Sequence, residues 1–459
     1  MEIDTLPDDV HLYVFDIYLA ESSEVEAWHT LIHVCRRWRI LVFGSPRRLN
    51  LRIACTNETP VREMLDVWPA LPIVISNSPT CIDNTKAALE HRDRVCQIDL
   101  LGLLTWDLED IFEALEEPFP ALTVLKLHST DATDPIFPLS DQYLGGTTHL
   151  RSLSLTCIPI PELPNLLLSS ADLVDLRLME IPLSIFVPPD EMVAALSALT
   201  RLQVFHLEPE FDESHPSWEN RRLPQPRRTV LPSLIELRFE GAVDYLDDFM
   251  ARIDAPLLDH LDIVFYGFDS IILFDTSQVL RFISHVPKFQ AFDEAHIGIQ
   301  PEGFKFWIEF LSTRASSGVL NLEILCVEPE KQFPCLAQFC RSPFFPLPTL
   351  ESLYMVGGTY LRKLERDGME NARWREFLRP FTSVKNLYLS KNYVRCIATA
   401  LEELGVKRAT EVLPALENVV MENVQLHGSV SQDLRILRQL SGHPIVISGW
   451  ERTGHEAER

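Results

Sequence analysis

One short motif in the chain spells a known set of catalytic residues. Residues Asp293 to His296 have the sequence DEAH, with which one class of helicases coordinates magnesium. Nucleotide hydrolysis by such a motif also needs a phosphate-binding loop, G-x-x-x-x-G-K-[ST], and the sequence contains none. Patterns typical of dinucleotide binding, zinc proteases and serine hydrolases are missing as well. We therefore expect a protein that is not an enzyme and that holds no cofactor and no metal.

The nine cysteines do not form a pattern that would bind zinc or build a disulfide framework. No C-x-x-C pair occurs, and the closest two, Cys335 and Cys340, flank apolar residues. An odd, dispersed set is typical of a reducing compartment, so a cytoplasmic and/or nuclear location is expected. The first twenty residues carry four aspartates and no Lys or Arg, and no run of about 18 apolar residues occurs, so neither a signal peptide nor a membrane span is predicted.

A basic stretch stands out against the acidic chain. Six arginines and no acid lie between Arg36 and Arg52, whereas the 459 residues carry a formal charge of −25. Phosphates would be repelled over most of such a surface, which argues against DNA or RNA as a ligand. The alternative is packing: Cys35 and Trp38 would face an apolar stripe, while Arg36, Arg37 and Arg39 would flank it with their aliphatic stems.

The elements that must position any binding residues are repeats. The pattern L-x-x-L-x-L, in which L stands for any apolar residue and x for any residue, recurs twelve times. Successive copies start 23 to 34 residues apart. The copies start at Val95, Leu122, Leu150, Leu173, Leu202, Leu234, Leu258, Phe289, Leu322, Leu350, Val384 and Leu416. Helical patterns lie between copies, including 107–115, 188–199, 245–253, 302–311 and 398–404. Each unit is predicted to be a strand followed by a helix, and the stack is predicted to form an α/β solenoid with a parallel sheet inside and helices outside.

The residues between the apolar positions should project from the sheet onto its inner face. In the copies at Leu234 and Leu258 these residues are charged: Glu236, Arg238, Glu240, His260 and Asp262. The same alternation predicts that further side chains project onto the inner face in other copies: Lys126, His128, Asp175, Arg177, His206, Tyr354, Asn386, Tyr388 and Asn418. We expect the central charged set to bind a target protein through a basic or lysine-bearing segment, because acids outnumber the permanent cation.

The first fifty residues predict two or three helices with more apolar surface than they can bury themselves. Thr5 is a candidate N-cap and Pro7 suits the first turn of a helix. Two apolar stripes follow on that helix, one through Val10, Val14 and Ile17, the other through Leu12, Phe15 and Leu19. A further helical pattern runs from Ser23 to Val42 and divides near Leu31 if it forms two helices. The surplus stripe should be covered by a partner or by the rest of the chain.

Residues 4–43 resemble an F-box. The similarity rests on the Leu6–Pro7 opening, Val10, Phe15, the Trp28–Leu31 spacing and the run VCRRWR from Val34. The continuation resembles a large group of fungal F-box proteins, and residues 90–430 resemble leucine-rich repeats. The resemblance implies a substrate-recognition subunit of an SCF-type cullin-RING ubiquitin ligase, with a Skp-family adaptor and through it a cullin as partners. The adaptor contacts that it implies are Leu6, Pro7, Val10, Phe15, Leu19, Trp28, Leu31 and Val34.

The expected organisation has four parts. They are an all-α F-box (1–48), a junction and solenoid cap (49–94), the leucine-rich-repeat-like solenoid (95–445) and a tail (446–459). A polar, proline-rich loop is expected to be inserted at about 208–233, and its four arginines offer an alternative partner-binding site. Outside its complex the chain is expected to be a monomer. The alternative function is a non-catalytic scaffold in which the N-terminal helices only cap the solenoid.

Overall fold

A computed structural model describes about two thirds of the chain. The described residues are 6–21, 27–44, 51–58, 60–67, 70–77, 81–130, 149–159, 163–182, 187–209, 228–267, 276–300, 305–312, 318–326, 340–341, 347–357, 370–402, 412–422 and 446–450. The chain forms two compact units, an N-terminal unit (Met1–Glu210) and a C-terminal unit (Phe211–Arg459). Thr5 and most of the inserted loop, 210–227, lie outside the described residues. No described helix is long and apolar enough to cross a membrane.

The N-terminal unit combines three leading helices with a parallel sheet. Its helices are α1 (Asp8–Glu21), α2 (Ala27–Val34), α3 (Arg36–Gly44), α4 (Val61–Val67), α5 (Ile82–Leu89), α6 (Thr105–Leu115), α7 (Leu163–Ser169) and α8 (Pro189–Leu196). Its strands are β1 (Leu51–Ile53), β2 (Ile73–Asn77), β3 (Val95–Leu103), β4 (Val124–Ser129), β5 (Ser152–Thr156), β6 (Asp175–Ile181) and β7 (Val204–Pro209). These strands pair in chain order, each parallel to the next.

The C-terminal unit continues the strand-and-helix alternation with one interruption. Its strands are β8 (Thr229–Val230), β9 (Glu236–Gly241), β10 (Ile253–Asp254), β11 (His260–Gly267), β12 (Glu294–Gln300), β13 (Lys305–Leu311), β14 (Val319–Cys326), β15 (Ser352–Gly357), β16 (Asn386–Leu389), β17 (Asn418–Glu422) and β18 (Val446–Trp450). Its helices are α9 (Val243–Arg252), α10 (Ser277–His285), α11 (Glu370–Leu378) and α12 (Lys391–Glu402), and a 3-10 turn covers Pro287–Phe289. The main sheet has the order β9-β11-β14-β13-β12-β15-β16-β17-β18, and β8 forms a separate two-stranded sheet with β10.

The predicted fold class is confirmed: parallel strands alternate with helices in a leucine-rich-repeat-like arrangement. The three apolar positions of each repeat point into the core, as at Leu173, Leu176 and Leu178, which are fully buried. Several neighbouring helices pack on one another, as α7 does on α8, α9 on α10 and α11 on α12, and α12 also contacts β15, β16 and β17. A single repeat cannot bury its apolar side, so neighbouring repeats within each unit share a core and leave the opposite face of the sheet to solvent.

The predicted starting residues of two repeat copies in the middle of the chain are wrong. Cα pairing places Ala295 opposite Leu353, so the eighth copy starts at Phe292 rather than at Phe289. Pairing also places Leu320 opposite Leu261, so the inward positions of the ninth copy are Leu320 and Leu322. Short apolar runs offer several frames, and the hydrogen bonds to a distant strand select one of them.

The prediction of a helix at 302–311 is also wrong. Residues Lys305–Leu311 form β13, which runs antiparallel to both β12 and β14. Its apolar core residues Phe306, Ile308 and Phe310 alternate with Trp307 and Glu309, which line a pocket instead. Alternation with a period of two is typical of a strand. A helix was expected here because the neighbouring repeats alternate strand and helix.

Strands on either side of the expected repeat range also join the sheet. Strands β1 and β2 join the sheet before Val95, and β18 pairs with β17 beyond the expected end at 445.

Candidate functional site

The open face of the C-terminal sheet carries the predicted charged residues side by side. The open face is the face of a sheet opposite the helices. Residues that pair across neighbouring strands form one row on it: Arg238, Asp262, Asn321, Glu309, His296, Tyr354 and Tyr388. Cα partners of adjacent strands lie on the same face, so the register alone makes these side chains neighbours.

Four of the five predicted target-binding residues line one pocket. The pocket has a volume of about 470 Å³, and Glu236, Arg238, His260 and Asp262 all border it. Arg238 forms an ion pair with Glu240, and its Nε lies 3.6 Å from an Asp262 carboxylate oxygen. Glu240 is thus tied to the pocket through Arg238, and it also accepts a hydrogen bond of 3.1 Å from the Tyr266 hydroxyl. The structure therefore brings the predicted charged set together.

The other side of the pocket comes from residues that the sequence analysis missed. They are Trp307 and Glu309 of β13, with Val319, Asn321 and Glu323 of β14. Asn321 donates a hydrogen bond of 2.9 Å to Asp262, which joins the predicted and the missed halves. The alternation in 305–311 was the signal that could have found Trp307 and Glu309, since it places both on the face opposite the core.

Trp307 owes its position to a glycine. Gly298 of β12 is the Cα partner of Trp307, and the indole occupies the space where a Cβ at Gly298 would lie. A larger residue at 298 would therefore displace the ring. The indole lies against the sheet beside the pocket carboxylates.

The pocket is acidic and partly withdrawn from water. Its carboxylates are Glu236, Asp262, Glu309 and Glu323, of which Glu309 and Glu323 are only 9% and 8% exposed. The permanent cation among the lining residues is Arg238. Charges in such surroundings are screened less than surface charges, so the pocket favours a cationic group over an anion.

Beyond the pocket the open face changes from charged to aromatic and amide side chains. His296 stacks on Tyr354 with a centroid distance of 4.3 Å, and Tyr354 stacks on Tyr388 at 4.0 Å. Asn418 donates to Asn386 at 2.8 Å, and Asn386 donates to Ser352 at 3.3 Å. These contacts link neighbouring strands and give this part of the face a rigid surface.

The open face of the N-terminal sheet is also polar, as predicted. Lys126, His128, Asp175, Arg177 and His206 all alternate with buried leucines or phenylalanines. Lys126 lies 3.8 Å from Asp99 and Arg177 lies 3.0 Å from Asp175, so opposite charges are mixed there.

The DEAH motif lies within the eighth copy of the strand repeat. Ala295 is buried in the core, and the carbonyl of Asp293 accepts hydrogen bonds from the backbone N–H groups of Glu351 and Ser352. His296 stacks on Tyr354. Sheet pairing and packing account for these residues.

A second candidate surface lies on α1. Phe15, Leu31 and Val42 form a buried core between α1, α2 and α3, with Leu12, Ile32, Trp38 and Leu41 packed against it. The opposite side of α1 carries a row of exposed apolar side chains, here called the α1 stripe: Val10, Tyr13, Val14, Ile17 and Tyr18, which are 37–65% exposed. Their spacing of three and four residues places them on one side of the helix.

This packing corrects part of the expected adaptor-contact set. Phe15 is fully buried and Leu31 is 4% exposed, so they hold the three helices together and do not face a partner. Val10, Pro7 and Val34 are exposed and Leu6 is half-buried. The side chains of Leu19 and Trp28 lie outside the described part of the structure. Tyr13 and Tyr18 also belong to the stripe, although the predicted stripes did not include them.

Two arginines of the basic stretch, Arg37 and Arg39, make contacts within the three helices, while Arg47 and Arg48 lie outside the described residues. Arg37 forms an ion pair of 2.6 Å with Asp8 and donates a hydrogen bond to the Leu6 carbonyl, which fastens the start of α1 to α3. Arg39 donates to the Ile32 carbonyl, and Trp38 contacts Phe15 at a centroid distance of 4.7 Å. The two helices α2 and α3 meet at Cys35 rather than near Leu31.

The chain was also compared with known proteins. No family model and no curated protein matches it. Among solved structures, the leucine-rich repeat-containing protein LegL7 from Legionella pneumophila is 13% identical, with 87% of this chain and 91% of that chain covered and a TM-score of 0.28. A structure of the Rad7 and Elc1 complex in yeast is 11% identical, with 96% and 92% covered and a TM-score of 0.28. Likeness at this level says nothing about function.

Proposed function

We propose that the chain is a substrate-recognition subunit of an SCF-type cullin-RING ubiquitin ligase. In this proposal the three N-terminal helices bind a Skp-family adaptor, and through it a cullin, while the open face holds a target protein. The chain contributes proximity rather than chemistry, because it raises the local concentration of the target near a ubiquitin-loaded enzyme. It acts without a cofactor, in the cytoplasm and/or nucleus.

The α1 stripe is the observation that carries this proposal. Helix α1 uses one side to pack on α2 and α3, so its apolar residues on the other side are not needed for that core. An exposed apolar row of this kind is typical of a protein-binding surface. The resemblance of residues 4–43 to an F-box supplies the identity of the partner. Leu6 and Pro7 adjoin the stripe at the start of α1, where Arg37 holds the backbone of Leu6 in place.

The adaptor contact can be tested by co-purification with a recombinant Skp-family adaptor. We expect the wild-type chain to retain the adaptor and the double substitution Val10→Asp with Ile17→Asp to lose it. Each aspartate would place an unpaired charge in a dehydrated contact, so affinity should fall about a hundredfold. Both side chains are about 40% exposed, so the helical core should remain folded.

A matched control separates this contact from a general effect of added charge. Val67→Asp with Leu168→Asp alters exposed apolar residues of α4 and α7 by the same charge, and it should leave adaptor binding intact. Failure of the wild-type chain to retain the adaptor would support the alternative, a scaffold whose helices only cap the repeats. Equal losses in the control and in the α1 variant would also contradict the proposed contact.

A further inference from the structure

We infer that the pocket on the open face binds a lysine or arginine side chain presented by a basic segment of the target protein. This inference deepens the proposed function by naming the chemistry of the target. It rests on that function only for the statement that the bound protein is a ligase target. The binding itself is a property of the C-terminal unit.

Charge is the first argument for a basic occupant. Four carboxylates line the pocket against one guanidinium, which is a formal charge of −3 when His260 is neutral. The whole chain carries −25, so long-range attraction adds to the local field and steers basic segments toward the protein.

The depth of two carboxylates is the second argument. Glu309 and Glu323 belong to the middle strands β13 and β14 and are about nine-tenths buried. Exposed carboxylates such as Glu236 attract a cation only weakly through water. The buried pair lies in a region of lower effective dielectric, where a cation that enters the pocket interacts more strongly.

The indole of Trp307 is the third argument. A lysine or arginine side chain has a long apolar stem and a charged end, and it binds best where an apolar wall adjoins acidic groups. Trp307 and Val319 supply apolar surface beside the carboxylates. The indole face also attracts ammonium and guanidinium groups directly.

A divalent metal ion fits the pocket less well. Among its described His, Asp and Glu side chains, no three bring ligand atoms within 4.8 Å of one another, which a shared metal ion would require. A volume of about 470 Å³ instead accommodates one long side chain and part of its backbone.

The binding can be measured by fluorescence anisotropy with the full chain and labelled Gly–Ser peptides. One peptide carries spaced arginines, a second carries lysines, a third carries citrulline, and a fourth carries glutamate. We expect the arginine and lysine peptides to bind and the other two to bind at least about tenfold more weakly, because citrulline keeps the shape of arginine but lacks its charge. Binding should weaken with added salt.

Substitutions then locate the site. Glu309→Gln with Glu323→Gln removes the buried charges with little change in shape and should weaken arginine-peptide binding about tenfold or more. Trp307→Leu keeps an apolar wall without the aromatic face and should weaken it about three- to tenfold. Glu236→Lys with Asp262→Lys tests the more exposed carboxylates and should also abolish the preference for basic peptides. Thermal unfolding identifies any variant that is misfolded.

The matched control is Glu109→Gln with Glu113→Gln on the exposed side of α6, which changes the net charge by the same amount as the first variant. It should leave peptide binding unchanged. The inference is overturned if the control weakens binding equally, if citrulline and arginine peptides bind alike, or if no basic peptide binds. Binding that survives the pocket substitutions and disappears on deletion of residues 210–227 would place the site in the inserted loop instead.

The two proposals fail separately. Loss of peptide binding in the pocket variants with normal adaptor capture supports the pocket. Normal pocket behaviour in a chain that never retains the adaptor contradicts the ligase function and leaves a scaffold that binds basic segments.

Discussion

At the scale of single residues, burial decides the chemistry of the thiols. Cys55 is fully buried, and burial raises the pKa of its thiol to about 11, although a hydrogen bond with Thr85 opposes the shift. Burial also raises the pKa of the Cys96 and Cys340 thiols. Such thiols remain protonated at neutral pH and are poor nucleophiles, so their role in the described part of the chain is packing.

The shifted pKa of Cys55 predicts a loss of stability at alkaline pH. Below about pH 8 the thiol is protonated in both the folded and the unfolded chain, so the free energy of unfolding does not depend on its ionisation. Between about pH 9 and 11 the unfolded chain ionises and the folded chain does not, which lowers that free energy by about 2–3 kcal/mol. Urea unfolding of the wild type and of Cys55→Ala, followed across this range, measures the difference. Parallel pH profiles for the two proteins would contradict the assignment.

At the scale of elements, α1 shows how packing divides two apolar stripes between different roles. Phe15 contacts Trp38 in the core of the three helices, whereas its neighbour Val14 is 47% exposed. The core needs one stripe only, because α2 and α3 lie on the same side of α1. The second stripe remains available for a partner.

This division predicts opposite effects for adjacent substitutions. Phe15→Ala removes a large buried ring and should destabilise the three helices by about 3–5 kcal/mol. Val14→Ala should change their stability by less than about 0.5 kcal/mol and weaken adaptor binding instead. Hydrogen exchange of the backbone amides in residues 6–44 measures local stability, and co-purification measures adaptor binding. Slow exchange in Phe15→Ala, equal to that of the wild type, would show that the ring is not part of a core.

At the scale of the whole molecule, the two proposed contacts lie far apart in the sequence and depend on different elements. In a repeat array each unit packs mainly on its neighbours, so a surface substitution in one copy leaves remote copies folded. The chemistry in the proposed function belongs to other subunits. Asp293 and Glu294 are the acidic residues of the motif that is typical of catalysis. Glu294 is the first residue of strand β12, and Asp293 directly precedes that strand.

Accordingly, the purified chain should not hydrolyse nucleotides above background. The double substitution Asp293→Asn with Glu294→Gln should leave this result unchanged, because no phosphate-binding loop accompanies the motif in the sequence. A magnesium-dependent phosphate-release assay measures both proteins. Turnover in the wild type that disappears in the double mutant would contradict a non-catalytic role.

The sequence by itself determined the repeat architecture and most of its register. Nine of the twelve copies have all three of their apolar residues buried, since a repeated apolar pattern with a constant spacing predicts which side chains enter the core. The alternation within each copy also determined which side chains reach the open face, including Glu236, Arg238 and His260. The surplus of apolar residues on α1 was equally visible, because the periodicity of a helix assigns each residue to a side without any knowledge of its partner.

Only the tertiary structure decided which α1 stripe is buried and how the acidic pocket is completed. The two stripes of α1 are equivalent until α2 and α3 pack against one of them. Strand β13 lies between β14 and β12 through antiparallel hydrogen bonds, and this insertion brings Trp307 and Glu309 beside Asp262. Asp262 and its partner Asn321 are 59 residues apart in the chain. Local propensity acts over a few residues, so pairing at this separation is decided by the burial and hydrogen bonding of the assembled sheet.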